Sequence, residues 1–424
     1  MNKIIPPVKG TRDFYPEDWA FQLWLYSKIQ EVSRSFGFQE YEAPIIESLD
    51  LYAAKSGEEL VKKQAFTLQD QTGNTLALRP EMTPSLSRMI AQKTGSLIMP
   101  AKWFNFGRRF RYEKPQKGRA REFFQWDCDI FGLNNVEADA EVITVAATLL
   151  QKLGLTSNEV KIKINDRQYL QEQLLKIGIE EKNIFALFKI IDKKSKISEA
   201  DFTEMLKEIN TDTTQIQQIS SILSDKEGYK KSEWLTKIFQ ILKLNGIADF
   251  VEFDPTIVRG LDYYTRTVFE CWDNKGLFRA ILGGGRYDNL TAEVGGKQAV
   301  PGVGFAMGDM VIAEVLKANG KFPKLNPNCT KVLVAIFNTD TINNSIETAK
   351  TLRENNINTE IYLKPEDNLG KQFKYANAKN IPWVIVIGPE EAAQNKVALK
   401  NMETGEQEIL NLEKAIEKIN LLKL

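Results

Sequence analysis

The 424-residue sequence contains no histidine. This absence excludes serine or cysteine nucleophiles activated by histidine, metals bound by histidine, and histidine general bases. Any chemistry must therefore use carboxylates, arginine, lysine, backbone groups, groups of the substrate, or a Mg²⁺ ion held by carboxylates. Reactions that depend on positioning and charge neutralisation remain open to such a chain.

Cysteine, net charge and long apolar runs are also scarce. Cys128, Cys271 and Cys329 lie far apart, so neither a disulfide framework nor a CxxC zinc site is expected. The 56 basic residues balance 56 acidic residues, so any affinity for nucleic acid must come from local patches. No run approaches the ~18 apolar residues of a membrane span, and the N-terminus has no apolar run of signal-peptide length. We therefore expect a cytoplasmic protein with no membrane segment.

A basic stretch from Gly107 to Gly132 is the most distinctive feature that is present. Between Lys102 and Arg121 there are eight lysines or arginines and one acid, Glu113. Alternation at the start of the stretch and β-prone aromatic residues at its end predict two antiparallel strands joined by a basic loop. Guanidinium groups suit phosphate oxygens. A solvated charged hairpin is the alternative that this stretch leaves open by itself.

Two further segments have ambiguous roles when they are considered alone. Glu81 lies near the predicted start of a helix. Its carboxylate could either interact favourably with the helix dipole or hold an ammonium group of a substrate. The segment 277–282 predicts a strand that leads into a glycine-rich turn at 283–285, where a ligand could approach the backbone closely. Neither the P-loop nor the Rossmann spacing of glycines occurs there.

The pattern of elements predicts two domains. Residues 1–320 mix helices and strands, and lysine-, glutamate- and isoleucine-rich helical patterns from about 168 to 245 indicate a helical insertion. A break with proline, asparagine and glycine falls at 319–330. Residues 330–424 then alternate strands and helices, which predicts a small, mostly parallel sheet covered by helices.

Several motifs in a fixed order resemble the histidyl-tRNA synthetases over nearly the whole chain. These are KGTRDFYPED, LRPEMT, FRYE, RGLDYYTRTVFE, GGGRYD and VGFAMG, followed by the separate α/β segment. The resemblance implies an α+β fold with a class II antiparallel-sheet catalytic domain and a C-terminal α/β anticodon-binding domain. It also implies a cytoplasmic homodimer that uses ATP and Mg²⁺ to convert L-histidine to histidyl-adenylate and pyrophosphate. The histidine then passes to the 3′ end of tRNA(His).

The resemblance assigns roles to particular residues. Arg111 would bind the ATP α-phosphate and the histidine carboxylate, Glu113 the adenine amino group, and Arg259 would be the catalytic arginine on the α-phosphate. Residues 36–44 would build the dimer, and no metal ligand is assigned with certainty. The histidine-binding positions are Glu81, Thr83, Gln125, Asp129, Tyr264 and Tyr287, and the tRNA-binding positions are Gln116, Lys117 and Arg119.

The chain departs from the family pattern at two positions. Phe124 replaces a common histidine, and we expect it to serve in packing. Val311 stands where a third ATP-binding arginine usually lies, and we hypothesise that Arg286 or another nearby arginine supplies that charge. The alternative function is that of a non-catalytic regulatory subunit of ATP phosphoribosyltransferase, but the intact RGLDYYTR motif and the segment 364–376 favour the enzyme.

The absence of histidine suggests a hypothesis about synthesis of the protein. A chain that loads histidine onto tRNA but contains none can be translated when charged tRNA(His) is scarce. Deliberate removal of histidine by engineering is equally compatible with the sequence.

Overall fold

A computed structural model of the protein describes residues 4–53, 64–116, 118–209 and 211–421. The chain divides into two compact units. The first contains most of the chain up to Pro323, and the second runs from Lys324 onward and includes the short segment Tyr15–Phe21.

The first unit is built on an eight-stranded sheet. Its strands follow the order β1-β5-β6-β11-β10-β9-β7-β8, and only the outer pairs β1–β5 and β7–β8 are parallel. The strands are β1 (Gln39–Glu40), β5 (Ala101–Phe110), β6 (Glu122–Phe131), β7 (Val160–Asp166), β8 (Val251–Phe253), β9 (Thr267–Asp273), β10 (Leu282–Arg286) and β11 (Gly302–Gly308).

The predicted hairpin is confirmed as the antiparallel pair β5–β6. The register runs from Ala101 opposite Phe131 to Phe110 opposite Glu122. Strand β5 ends at Phe110, so Arg111 and the residues after it leave the sheet and form the basic loop. The loop therefore begins at the edge of a buried sheet, where its first side chains can reach a site above the strands.

The predicted glycine-rich turn at 283–285 is wrong, because these glycines form the body of β10. This strand pairs antiparallel with both β9 and β11. A Cβ atom on Gly284 would lie 2.1 Å from the carbonyl oxygen of Gly304, and one on Gly285 would lie 2.6 Å from that of Thr267. Neighbouring backbone approaches so closely that glycine is required. Of the segment predicted as a strand, 277–282, only Leu282 belongs to a strand, and residues 277–281 are the connection that precedes β10.

A three-stranded sheet and eleven α-helices complete this part of the described chain. The sheet has the order β2-β4-β3. The segment predicted as a helical insertion contains α5 to α9, and α5 to α8 pack apolar side chains such as Leu187, Phe202 and Leu206 into one core cluster, to which Val258 also belongs. The strands are β2 (Ile46–Ser48), β3 (Phe66–Gln69) and β4 (Thr75–Leu78), and the helices are α1 (Pro16–Ser35), α2 (Leu49–Ala53), α3 (Thr83–Lys93), α4 (Val136–Lys152), α5 (Arg167–Lys176), α6 (Glu181–Ile191), α7 (Glu199–Glu208), α8 (Thr213–Ser224), α9 (Glu233–Leu244), α10 (Leu290–Glu293) and α11 (Asp309–Ala318).

The C-terminal segment forms a five-stranded sheet with the order β13-β12-β14-β15-β16. The first three strands are parallel, as predicted, but β15 and β16 run antiparallel, and β16 was not predicted. Across the described residues, no helix is long and apolar enough to cross a membrane. The elements are β12 (Val332–Ile336), α12 (Ile342–Glu354), β13 (Thr359–Ile361), α13 (Leu369–Ala378), β14 (Trp383–Ile387), α14 (Pro389–Ala393), β15 (Lys396–Asn401), β16 (Gln407–Asn411) and α15 (Leu412–Leu421).

Candidate active site

A cavity of about 230 Å³ lies over the central strands of the large sheet. Arg111, Glu113, Gln125 and Arg259 all line it, although they come from separate parts of the sequence. Gln125 reaches this cavity because it lies on β6 between Gly107 of β5 and Gly308 of β11. The three residues predicted to bind ATP, Arg111, Glu113 and Arg259, therefore line one cavity together with Gln125, which was predicted to bind histidine.

Arg111 is held at the point where β5 ends. Its Nε atom donates a hydrogen bond to the carbonyl oxygen of Pro80 at 3.0 Å. Its guanidinium carbon lies 5.4 Å from the ring centroid of Phe123, a cation–π contact. One edge of the guanidinium is therefore fixed by protein, and the group is oriented for an anionic ligand.

Glu113 forms an ion pair with Arg119 from the same loop. The loop closes on itself because the backbone N–H of Arg119 donates to the carbonyl oxygen of Gln116 at 2.8 Å, with Gly118 at a φ of 73°. A carboxylate has several lone pairs. Glu113 can therefore accept a further donor while Arg119 holds it in place.

Arg259 adopts a φ of 55°, the left-handed region that costs an ordinary residue energy. Its Nη1 atom donates to the carbonyl oxygen of Phe269 at 3.3 Å and lies 3.8 Å from the carboxylate of Glu270. Burial disfavours the charged guanidinium, but Tyr264 and Glu270 outweigh this effect and raise the pKa of Arg259. Arg259 is therefore a permanent cation in a largely buried position.

The absence of a side chain at Gly283 makes room for Arg259. A Cβ atom there would lie 1.5 Å from the Nη1 atom of Arg259. The guanidinium carbon of Arg259 also lies 5.4 Å from the ring centroid of Tyr264. Tyr264 is one of the predicted histidine-binding residues, so this contact connects the cavity with that second group.

This second group is a buried network of tyrosines and carboxylates. The hydroxyl of Tyr287 donates to Oδ1 of Asp129, and the hydroxyl of Tyr263 donates to Oε2 of Glu81 at 3.2 Å. Tyr263 and Tyr264 pack with ring centroids 4.9 Å apart. The predicted histidine-binding residues Glu81, Asp129, Tyr264 and Tyr287 thus lie in or beside one apolar cluster, and Thr83 begins α3 beside Glu81.

Asp129 has unusual electrostatics. Burial and the neighbouring Asp127 raise its pKa well above the ordinary value, while Tyr287 and Arg109 act in the opposite direction. Its Oδ2 atom is buried and has no hydrogen-bond partner among the described residues. A buried acceptor without a donor is costly, so Asp129 is suited to receive an N–H group from a ligand.

Asp127, Arg109 and Tyr263 are residues of the site that the sequence reasoning missed. The amide of Gln125 donates to Oδ1 of Asp127 at 2.8 Å, and Oδ2 of Asp127 accepts from Arg109 at 2.7 Å. The available signal was the period of two along β6, which puts residues 125, 127 and 129 on one face. For Tyr263, the signal was its position beside Tyr264 in the RGLDYY motif.

The predicted tRNA-binding residues do not share one position. Arg119 lines the cavity, whereas Gln116 is exposed and is not among the residues that line it. Lys117 lies outside the described residues.

The hypothesis that Arg286 replaces the arginine missing at Val311 is wrong. Its side chain is fully buried. Its Nε atom donates to Asp139 at 2.9 Å and Nη1 donates to Leu133 at 2.9 Å. Nη2 donates to Asn135 at 3.0 Å. All three guanidinium nitrogens are used within the core, so none is available to a ligand in the cavity.

The packing role expected of Phe124 is confirmed. Its ring packs edge-on to Phe14 at 5.8 Å and stacks on Phe106 at 5.6 Å between centroids. Its backbone N–H donates to Asp309 at 3.0 Å, which ties β6 to the start of α11.

An eight-stranded, mainly antiparallel sheet carrying this arginine-rich cavity, followed by an α/β unit, is the architecture of a class II aminoacyl-tRNA synthetase. The family model for histidyl-tRNA synthetase matches residues 10–310, and the model for the anticodon-binding domain matches residues 331–422. The chain belongs to the histidyl-tRNA synthetase family. The predicted family and fold class are therefore confirmed.

Individual relatives agree with this placement. A histidine–tRNA ligase of Leptospira biflexa is 36% identical over 97% of this chain and 96% of its own length. The crystal structure of histidyl-tRNA synthetase from Nostoc sp. PCC 7120 has a TM-score of 0.83 at 25% identity and covers 99% of both chains. A Bacillus halodurans structure described as an ATP phosphoribosyltransferase regulatory subunit/histidyl-tRNA synthetase has a TM-score of 0.75, with 91% of this chain and 99% of that chain covered. At 23% identity, the latter likeness shows the fold alone.

Proposed function

We propose that this chain acts as a histidine–tRNA ligase, which activates L-histidine with ATP and transfers it to the 3′ end of tRNA(His). The observation that carries this proposal is the convergence of Arg111, Glu113, Gln125 and Arg259 on one cavity, beside the buried cluster that contains Asp129 and Tyr264. The reaction is inferred from family membership, and the cavity contains side chains suited to the substrates.

Activation needs no general base. The carboxylate oxygen of histidine attacks the α-phosphorus of ATP, a new P–O bond forms, and the bond to pyrophosphate breaks. Since the nucleophile is already ionised, the protein must position the reactants and neutralise charge. Arg111 and Arg259 perform both tasks on the α-phosphate. This is chemistry that a histidine-free chain can carry out.

Recognition of histidine rests on the buried cluster. Asp129 accepts a hydrogen bond from one ring N–H of the substrate, and Tyr264 contacts the other ring nitrogen. Glu81 and Thr83 hold the α-ammonium group, and Gln125 and Tyr287 complete the pocket. The Oδ2 atom of Asp129, which lacks a partner among the described residues, supports this assignment.

The nucleotide base and the tRNA are held by the loop that follows β5. Glu113 accepts from the adenine amino group while it remains paired with Arg119. Gln116, Lys117 and Arg119 contact the acceptor end of tRNA. In the transfer step the attacking tRNA hydroxyl loses its proton to a phosphate oxygen of the adenylate. Residues 1–320 form the catalytic domain, with residues 168–245 as a helical insertion, and residues 330–424 bind the anticodon.

Mg²⁺ accompanies ATP in this proposal. Among the described residues no cluster of three or more metal-binding side chains occurs. Mg²⁺ commonly binds through one or two carboxylates together with substrate phosphates. Glu270 and Asp192 both line the larger cavity that adjoins the site, and they are the carboxylates that we propose would hold the ion. The ion would supply charge neutralisation for the phosphates.

A cytoplasmic homodimer is the proposed working form. The segment 36–44 is followed by Ile45 and Ile46, which are 46% and 47% exposed. Apolar side chains at this position suit contact with a second copy of the chain. Sedimentation equilibrium provides the measurement, and a monomeric mass at micromolar concentration contradicts this part of the proposal.

The decisive experiment is ATP–pyrophosphate exchange with each amino acid in turn, followed by aminoacylation of tRNA. Exchange that depends on histidine supports the ligase, whereas a folded protein without exchange favours the regulatory subunit. The variant Arg111→Ala should lose exchange. The matched control Arg108→Ala removes an arginine of the same hairpin that is half exposed and pairs with Glu122 outside the cavity, and it should retain exchange.

A further inference from the structure

One arginine of the cavity, Arg279, has no partner among the residues that the structure describes. Arg111, Arg119, Arg259 and Arg279 all line it. Arg111 is bonded to Pro80, Arg119 is paired with Glu113, and Arg259 is held by Phe269 and Glu270. The guanidinium of Arg279, by contrast, forms no hydrogen bond or ion pair with any residue that the structure describes.

Arg279 lies beside the position that lacks its expected cation. Arg279 and Val311 line both the 230 Å³ cavity and the adjoining cavity of about 900 Å³. Gly118 and Arg259 line both cavities as well, so these residues form the shared boundary. The side chain of Val311 is apolar and carries no charge. A ligand that extends from Arg259 across this boundary meets Arg279.

The connection that carries Arg279 is fixed by hydrogen bonds. The carboxylate of Asp273 accepts from the backbone N–H groups of Leu277 at 2.9 Å and Phe278 at 3.0 Å. The backbone N–H of Ile281 donates to Cys271 at 2.7 Å. Because the backbone is already ordered on both sides of Arg279, only its side chain must be immobilised when a ligand binds.

We propose that Arg279 binds the β- and γ-phosphates of ATP and so replaces the cation that is missing at Val311. This inference rests on the proposed function, because it takes ATP as the ligand and Arg259 as the group on the α-phosphate. A guanidinium presents a planar set of donors that matches phosphate oxygens. Pyrophosphate carries these same two phosphates, so Arg279 also stabilises the leaving group as it forms.

The test compares ATP with AMP, which lacks the β- and γ-phosphates. For Arg279→Ala, the dissociation constant for a non-hydrolysable ATP analogue, measured by calorimetry, should rise about 10- to 100-fold, the range for loss of charge-assisted hydrogen bonds. The dissociation constants for AMP and for histidine should stay within about twofold. An equal loss for the ATP analogue and AMP, or no loss for either, overturns the proposal.

Two further variants control for charge and for folding. Lys275→Ala removes an exposed cation from the same connection, outside both cavities, and should leave the affinity for the ATP analogue unchanged. Arg279→Ala/Val311→Arg places a guanidinium on the other side of the boundary and should restore at least part of that affinity. Failure of the double variant to restore any affinity contradicts a shared phosphate site.

The same measurements separate this proposal from the proposed function. If the parent protein shows no histidine-dependent exchange, the ligase assignment fails, while the ratio of ATP-analogue to AMP affinity still reports on Arg279. If exchange occurs but that ratio is unchanged by Arg279→Ala, the ligase assignment stands and the role of Arg279 fails.

Discussion

Asp127 joins two parts of the site through a single carboxylate. One oxygen orients the amide of Gln125 and the other pairs with Arg109, and Asp127 and Arg109 are both buried. A second partner of Arg109 is the side-chain oxygen of Asn105 at 2.7 Å. This carboxylate therefore both stabilises the sheet and sets the direction of a residue in the cavity.

We expect Asp127→Ala to lower the free energy of unfolding by about 3–5 kcal/mol, because it leaves the charge of Arg109 buried without its carboxylate. Urea unfolding measures this change. The double variant Arg109→Met/Asp127→Leu removes both charges and should recover part of the loss. A loss below about 1 kcal/mol for the single variant would contradict the importance of the pair.

Asp129 should make stability depend on pH. Its pKa is raised in the folded state, so above the ordinary value of about 3.9 the folded chain retains a proton that the unfolded chain releases. Stability from this group therefore falls as pH rises toward the folded pKa. Asp129→Asn removes this loss, so the unfolding free energy of the variant minus that of the parent should increase with pH, by at most about 1.4 kcal/mol per pH unit.

Urea unfolding at pH 5, 6 and 7 tests this prediction. Asp70→Asn is the matched control, because Asp70 lies in an exposed turn whose hydrogen bonds to Asn74 and Thr72 lower its pKa to about 2. The Asp70 carboxyl group stays ionised from pH 5 to pH 7. The unfolding free energy of Asp70→Asn minus that of the parent should therefore not change with pH. A flat difference for Asp129→Asn as well would show that its pKa is not raised.

At the scale of elements, β10 is where the structure differs most from the sequence prediction. Three consecutive glycines predict a turn because glycine tolerates unusual backbone angles. In the structure their importance is the missing Cβ, since Arg259, Phe305 and Tyr264 occupy the space above and below the strand. Strand β10 therefore packs directly against the side chains of the site.

Gly284→Ala should strongly destabilise the protein. Its Cβ atom would lie 2.1 Å from the backbone oxygen of Gly304, and backbone paired on both sides cannot move away. We expect a loss of about 1–3 kcal/mol or more by urea unfolding. Gly308→Ala is the control, because it has a φ of −83° and no atom within 4 Å of the added carbon. Equal stability of the two variants would contradict this account of β10.

Gly283→Ala should affect activity more than stability. The added carbon meets the end of the Arg259 side chain, which can swing away at little cost to folding. A displaced catalytic group of this kind reduces the rate about 10²-fold. We expect kcat for pyrophosphate exchange to fall by this factor while the unfolding free energy changes by less than about 1 kcal/mol. Unchanged kcat would mean that Arg259 does not need its present position.

At the scale of the whole molecule, the absence of histidine leads to a prediction about synthesis. Under histidine starvation, a chain without histidine codons should be produced at a higher rate than one that contains them. The matched control is the same chain with Asn343, Asn344 and Lys350 changed to histidine, at exposed positions on α12. Pulse labelling measures both rates, and equal depression of the two would eliminate the hypothesis.

The hairpin β5–β6, the helices of residues 168–245 and the parallel part of the C-terminal sheet followed from the sequence. Each depends on periodicity, turn residues or short loops, which are properties of neighbouring residues. The absence of histidine likewise determined which kinds of catalysis were possible.

Whether Arg279 or Arg286 faces the cavity depends on the tertiary structure alone. Arg279 and Arg286 are separated by seven positions, yet one is exposed at the cavity and the other is buried against Asp139, 147 positions earlier in the chain. The tertiary structure also shows that the glycines predicted to form a turn lie in a central strand, and that Asp127 positions Gln125. These features depend on strand order and on packing between distant segments, and the local pattern of a sequence determines neither.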